Sequence, residues 1–138
     1  MLGRKSDMET LEIEVHPSSK LSKNSLHRVR TLGQSREIDK ITRDERADGM
    51  MLGLEAMQIH GNWPSDPKVQ LEVTQYYATI GFDPDGLACV VAPYIDGLVD
   101  AGVMKDDGPK VVMAYVLLLE QVNTKAKQKT VIKVMVVE

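Results

Sequence analysis

Two groups of aspartates are the residues of this sequence best suited to chemistry. Asp83 and Asp85 flank Pro84, shortly after an apolar segment with the alternation of a strand. Alternate residues of an extended chain project to the same side, so we expect the two carboxylates to converge on one point. Their repulsion is costly unless a cation lies between them or one of them stays protonated. Because oxygen ligands favour Mg²⁺ or Mn²⁺ over zinc, a hard divalent cation is the expected partner.

A second acidic pair, Asp106 and Asp107, follows the next predicted helix. This pair reaches Asp83 and Asp85 only if the chain returns to the same end of the fold. Asp-Pro-Asp-Gly and Lys-Asp-Asp-Gly-Pro are also common exposed turns. On spacing alone, the interpretation as two exposed turns is favoured over a metal site.

Basic residues cluster in loops that could follow a phosphate backbone. The net charge of −3 indicates no nucleic-acid partner by itself, so DNA binding would depend on such local patches. The alternative is that these are ordinary solvated charges. The candidate DNA contacts are Lys20, Lys23, Arg28 and Arg30 in the first long loop, Lys105 and Lys110 beside the second acidic pair, and Lys125, Lys127 and Lys129 before the last strand.

The elements that would position these residues follow from apolar periodicity and from Gly and Pro punctuation. We predict strands at 11–15, 69–78, 111–122 and 130–137 and a helix from an N-cap at Ser35 to Gly61. A second helix is predicted over 87–101. Because of Pro93, this helix either contains a kink there or begins only at about Ala92. The last two strands are expected to form a hairpin around a Lys-rich loop. The order β-α-β-α-β-β predicts an α+β fold with one mixed sheet and two helices packed on it. Residues 1–138 should form a single domain, with 1–10 flexible.

Composition restricts the setting of the protein. A chain of 138 residues points to one domain, and the single cysteine, Cys89, leaves no intrachain disulfide, which favours a reducing, cytoplasmic setting. No apolar run approaches the roughly 20 residues that span a bilayer, so no membrane partner is expected. The polar N-terminus lacks the apolar core of a signal peptide.

The segment from Asp83 to Val112 resembles the signature of the RusA-like family of crossover-junction endodeoxyribonucleases. The shared features are Asp83-x-Asp85, Leu87, Asp96-Gly97-Leu98, Ala101-Gly102 and Asp106-Asp107, in that order. The stretch from Ile95 to Gly102 is most similar to members carried by phages and prophages. Pro17 to Ser19, with Asn24 and Arg28, is similar to the family's Pro-rich loop.

The resemblance implies a homodimer that resolves Holliday junctions in DNA recombination and repair, by paired nicking of four-way junctions. It assigns Asp83, Asp85 and Asp107 as catalytic carboxylates that bind Mg²⁺ or Mn²⁺, with Asp106 as a further metal ligand and Asp96 as a secondary candidate. A bacterial cytoplasm, with phage or prophage origin, is the implied setting.

Three departures from the family pattern keep alternatives open, and one of them is that residues 76–80 stand where the family has a basic stretch before the first Asp. Gly86 stands where the family has Asn, and Ala88, Cys89 and Ala92 occupy the helical stretch that usually carries a Lys. Such a Lys would stabilise charge in the transition state, so one alternative is a catalytically weakened junction-binding protein. A second is a winged-helix-like DNA-binding regulator that uses 87–102 as its recognition helix. That helix carries Asp96 and Asp100 but no Lys or Arg, unlike helices that contact base edges.

Overall fold

Four strands and two long helices, joined by short helical turns, make up the part of the chain that the structure describes. The structure, a computed structural model, describes residues 9–137, apart from the side chains of residues 23 and 24. The elements in chain order are β1 (Thr10–Val15), α1 (Lys23–His27), α2 (Leu32–His60), β2 (Lys68–Tyr77), α3 (Pro84–Ala101), β3 (Val112–Gln121) and β4 (Lys129–Val137), with single 3₁₀ turns at Ser19–Leu21 and Lys125–Lys127. The predicted α+β class with one mixed sheet is confirmed, and the short helix α1 is an addition to it.

The sheet has the strand order β1-β4-β2-β3. Strand β4 is antiparallel to both β1 and β2, whereas β2 and β3 are parallel. The predicted hairpin between the last two strands is therefore wrong, because β4 crosses β2 and inserts beside β1. Thr130, Ile132 and Val134 alternate as buried residues along β4, so one face of this strand packs on the core.

The core lies between one face of the sheet and the helices. Alternate residues of the strands contribute Leu11, Ile13, Val15, Val69, Leu71, Val73, Ile132 and Val134, and α3 contributes Leu87, Val90, Val91, Tyr94, Ile95 and Leu98. Helix α2 packs against α3 and β1. Most of the apolar burial of the helical layer therefore belongs to α3.

Glycines set the distance between α2 and α3. A Cβ atom on Gly97 would lie 2.2 Å from the backbone oxygen of Arg46, and one on Gly49 would lie 2.5 Å from that of Tyr94. Such contacts are impossible for a side chain, so the two helices approach backbone to backbone. Gly49 and Gly53 of α2 thus face α3.

Several element ends differ from their predicted positions. Helix α2 begins at Leu32, not after Ser35, because Thr31 caps it in a capping box with Gln34. Helix α3 begins at Pro84, well before Ala92, and continues through Pro93. Thr10 belongs to β1, so the expected flexible segment 1–10 is ordered at this residue, and residues 1–8 lie outside the described part.

The predicted helix ends, at Gly61 and after residue 101, are confirmed. Gly61 closes α2 with φ 80° and Gly102 closes α3 with φ 86°, both in the left-handed region that glycine adopts without strain. None of the described helices is both long enough and apolar enough to cross a membrane.

Candidate functional site

Strand direction determines which loops share an end of the sheet. Strands β1, β2 and β3 all run the same way, since β1 and β2 are each antiparallel to β4 and β2 is parallel to β3. The segments that follow them, 16–31, 78–83 and 122–128, form what we call the upper end. The segments that follow α2 and α3, 61–67 and 102–111, form the lower end.

Asp83 and Asp85 lie at the upper end, at the start of α3. Oδ1 of Asp83 accepts a hydrogen bond from the Gly86 amide at 2.7 Å, which makes Asp83 the N-cap, and Pro84 is the first helical residue. Both carboxylates are exposed. Because β2 ends at Tyr77 and Asp85 is helical, these residues do not continue a strand, and strand alternation does not describe how their side chains are oriented.

The local roles of the two aspartates also stabilise the helix. A carboxylate at the N-cap satisfies a free backbone amide, and negative charge in the first turn interacts favourably with the helix dipole. One oxygen of Asp83 is thus engaged, and its second oxygen and the Asp85 carboxylate remain for a ligand.

Asp106 and Asp107 lie at the lower end, where both are exposed. The Asp107 amide donates to Oδ1 of Asp106 at 2.9 Å, as in an Asx turn. Asp107 lies near Asp96: burial raises the pKa of Asp96, the Arg46 charge opposes this shift, and the charges of Asp107 and Asp100 add to it.

The distance between the two acidic groups follows from the length of α3. Asp85 and Asp96 are about 16 Å apart along the helix axis, at roughly 1.5 Å per residue. Asp107 therefore lies toward Asp96, and not toward Asp83 and Asp85. Within residues 9–137, no three His, Cys, Asp or Glu side chains are grouped closely enough to hold a metal ion. A single chain thus does not fit the predicted set of Asp83, Asp85, Asp107 and Asp106 around one cation.

The basic candidates divide between the two ends. The upper end carries both basic loops, with Lys20, Lys23, Arg28, Arg30, Lys125, Lys127 and Lys129 on the segments around β1, β3 and β4. The lower end carries Lys105 and Lys110, both exposed. Two basic segments therefore share the upper end of the sheet with Asp83 and Asp85.

Three of the upper basic side chains already have partners within the chain. Lys20 forms an ion pair with Glu37, and Arg30 donates to the backbone oxygen of His27 at 2.6 Å. The Lys129 ammonium lies 5.5 Å from the centre of the Tyr76 ring, a cation–π distance. These contacts hold the cations in place while leaving them at the surface.

A buried glutamate binds the beginning of the first basic segment, 16–31. Glu45 is only 7 % exposed, and its Oε2 accepts from the Ser18 amide at 2.9 Å and from the Tyr94 hydroxyl at 3.3 Å. Its Oε1 has no hydrogen-bond partner among the described residues. Burial raises the pKa of Glu45, the hydrogen bonds from Ser18 and Tyr94 oppose this, and the Asp48 charge adds to it.

The charged residues of α2 do not all pair along the helix itself, although residues 43–46 carry charges of both signs. Instead, Glu45 faces the interior, and Arg46 makes a two-point ion pair with Asp100 of α3, at 2.6 and 2.9 Å.

The sequence did not reveal a pocket of about 230 Å³ at the upper end. Val15, Thr130 and Gln75, which are paired across β1, β4 and β2, all contribute to its lining. The buried Gln75 side chain donates to the Phe82 backbone oxygen at 3.0 Å and accepts from the Phe82 amide at 2.9 Å. Gln75 therefore fixes the chain immediately before Asp83. The only sequence signal was a polar residue at an inward position of β2.

Helix α3 is poorly placed to act as a recognition helix. Eight of its residues are buried, from Leu87 to Leu98, between the sheet and α2. A helix that enters a DNA groove must expose one face. This burial disfavours the winged-helix alternative.

Comparison of the chain with protein-family models, curated proteins and solved structures found no match.

Proposed function

We propose that this protein is a homodimeric, Mg²⁺-dependent endonuclease that nicks branched DNA, with the four-way junction as its substrate. The observation that carries the proposal is the composition of the upper end. There, two exposed carboxylates at a helix N-terminus, Asp83 and Asp85, share one end of the sheet with two basic loops. Carboxylates beside DNA are repelled by phosphates unless a cation intervenes, whereas flanking lysines and arginines attract the backbone.

The edge strand β3 supports a dimer. Within the described sheet its single neighbour is β2, so the other side of its backbone is open. Met113, Tyr115, Leu118 and Leu119 on this strand are between 41 and 47 % exposed. A long apolar edge strand favours pairing with another chain. A two-fold axis would pair β3 with the partner's β3 in the antiparallel direction.

This pairing would complete the acidic site. Antiparallel β3 strands place the lower end of one chain beside the upper end of its partner. The partner's Asp107 would then approach Asp83 and Asp85, although the three carboxylates are far apart within one chain. A divalent cation held there would activate water and stabilise the charge that develops in phosphodiester hydrolysis. Two such sites related by a two-fold axis suit two symmetric cuts.

The same dimer would compensate for the absence of a lysine on α3. Lys105 and Lys110 flank the second acidic pair, so in the dimer they would also approach Asp83 of the other chain. Either could supply the positive charge that a helical lysine gives in the family this chain resembles. We place the reaction in DNA recombination and repair within a bacterial cytoplasm, for a protein carried by a phage or prophage.

A junction-binding protein with weakened catalysis is the second candidate. It is favoured by the hydrogen bond that engages one Asp83 oxygen in capping α3, since this oxygen is less available to a metal. Both candidates predict junction binding, and they differ in whether strands are cut.

Incubation of the purified protein with a labelled four-way junction and with linear duplex, in Mg²⁺ and in EDTA, tests the proposal. We expect nicking of the junction in Mg²⁺ alone, which Asp85→Asn abolishes. Asp66→Asn is the matched control, because it lies at the lower end with φ 50°, a conformation that asparagine accepts. Binding without cleavage in Mg²⁺ or Mn²⁺ would leave only the second candidate, and equal affinity for duplex and junction would refute both.

A further inference from the structure

We propose that the pocket at the upper end binds one unstacked nucleotide of a DNA strand at the branch point. This inference rests on the proposed function and deepens it. The pocket has a volume of about 230 Å³, just below the roughly 300 Å³ at which sites for drug-sized ligands begin. It therefore suits a ligand with one ring system and its attached phosphate.

The lining has the chemistry of a base-stacking site. Tyr77 and Phe82 contribute aromatic residues to the lining, the Tyr76 ring is paired with the Lys129 ammonium at 5.5 Å, and Ile80 lies at the pocket although it is 86 % exposed. Nucleobases stack on aromatic side chains whatever their sequence, because every base has a π face. An exposed isoleucine beside aromatic rings offers apolar surface that a stacked base would cover.

The charge of the lining favours an anion. Lys129 supplies a positive charge to the lining, which contains no Asp or Glu among its described residues, whereas His16 is paired with the adjacent Glu14 at 3.4 Å. Oε1 of Gln128 already accepts from the Ala78 amide at 2.9 Å, so its amide group remains to donate. A phosphate attached to the stacked base would find these donors.

Hydrogen bonds and close packing hold the residues that line the pocket. Gln75 ties the Phe82 backbone through two hydrogen bonds, at 3.0 and 2.9 Å. A Cβ on Gly81 would lie 3.0 Å from the Gln75 amide and from the Tyr77 ring, so the loop is packed tightly over the strand end. These contacts hold residues 81 and 82 against the end of β2.

The location connects the pocket to cleavage. Phe82, in the lining, directly precedes Asp83, the N-cap of α3. A nucleotide drawn out of the stack there would anchor its strand next to the carboxylates. Bases at a branch point lose part of their stacking, and extruding them costs less than extruding bases from a duplex. The pocket would thereby favour junctions over linear DNA.

Cross-linking tests the assignment directly. The full chain is bound in EDTA to a four-way junction that carries 5-iodouracil at a branch nucleotide, irradiated, and mapped by mass spectrometry. We expect the cross-link on Tyr77 or Phe82, and none when the same base lies within an arm. Cross-links confined to other residues would overturn the pocket while leaving junction binding intact. Failure to bind the junction would instead refute the proposed function.

Two pairs of variants measure the contribution of the pocket to binding. Base stacking is worth about 1–3 kcal/mol, or about 5- to 150-fold in affinity. We expect Ile80→Gln, which removes the apolar side chain without adding charge, to weaken junction binding by at least fivefold. Ile59→Gln, at a residue that is 79 % exposed near the end of α2, should change it less than twofold. Likewise Tyr77→Leu should weaken binding, whereas Tyr77→Phe should retain it.

Equal affinities within either pair would overturn the proposal. Equally tight binding of free thymidine monophosphate and of the junction would overturn the assignment to a DNA strand.

Discussion

Two inactive variants should restore activity to each other if the acidic site is shared between chains. Consider Asp83→Asn and Asp107→Asn, each of which should abolish cleavage alone. In a mixed dimer, one site carries both substitutions and the other carries none. Asparagine caps helices as well as aspartate does, so Asp83→Asn should leave the start of α3 folded.

The magnitude follows from the two-fold geometry. When equal amounts of the two chains are unfolded together and refolded, about half of the dimers are mixed, and one of their two sites is intact. About one quarter of the wild-type number of sites is therefore recovered. Each mixed dimer makes single nicks instead of paired cuts, because its second site is inactive.

The assay is cleavage of a labelled junction in Mg²⁺, with refolded wild-type protein as the reference. Asp83→Asn mixed with Asp85→Asn is the matched control. Both substitutions fall in the same half of the site, so each site in every dimer keeps a defect and the mixture should stay inactive. Absence of recovery with the Asp83 and Asp107 variants, when each chain still dimerises, would refute the shared site.

Three further predictions concern the fold and the dimer. Gly97→Ala should destabilise the protein by about 2 kcal/mol or more in urea unfolding, because its Cβ would meet the α2 backbone at 2.2 Å, whereas Gly33→Ala, with its nearest neighbour at 3.9 Å, should be neutral or stabilising. The pKa of Glu45 is raised on folding, so its contribution to stability is complete below pH 4.5 and is lost as pH rises through the folded pKa. Wild type should therefore lose stability relative to Glu45→Gln over that pH range. Parallel stability profiles of the two proteins against pH would contradict this. Leu118→Lys on β3 should yield monomers in analytical ultracentrifugation and abolish cleavage, while Met51→Lys, at an exposed residue of α2, should leave dimers.

Local patterns predicted the elements of this fold well. Alternation in β1, β2 and β4 identified the strands, because period-two burial depends only on neighbouring residues. Gly61 and Gly102 identified the ends of the long helices for the same local reason.

Strand neighbours could not be predicted in the same way. Alternation tells which side chains face the core, but not which strand lies alongside, so the crossing of β4 to β1 was missed. The same limit applies to the acidic residues: their spacing does not reveal that α3 separates Asp85 from Asp107. The cap at Asp83 was within reach of the sequence, since Asp followed by Pro is a common helix start.

The central claim is paired, Mg²⁺-dependent cutting at a four-way junction. Its most direct test is a supercoiled plasmid that extrudes a cruciform, incubated with the protein in Mg²⁺. The proposal predicts linear plasmid as the first product, since both opposed strands are cut in one encounter, and no product from a matched plasmid without the cruciform. Intact plasmid despite bound protein, or equal cutting of both plasmids, would contradict it.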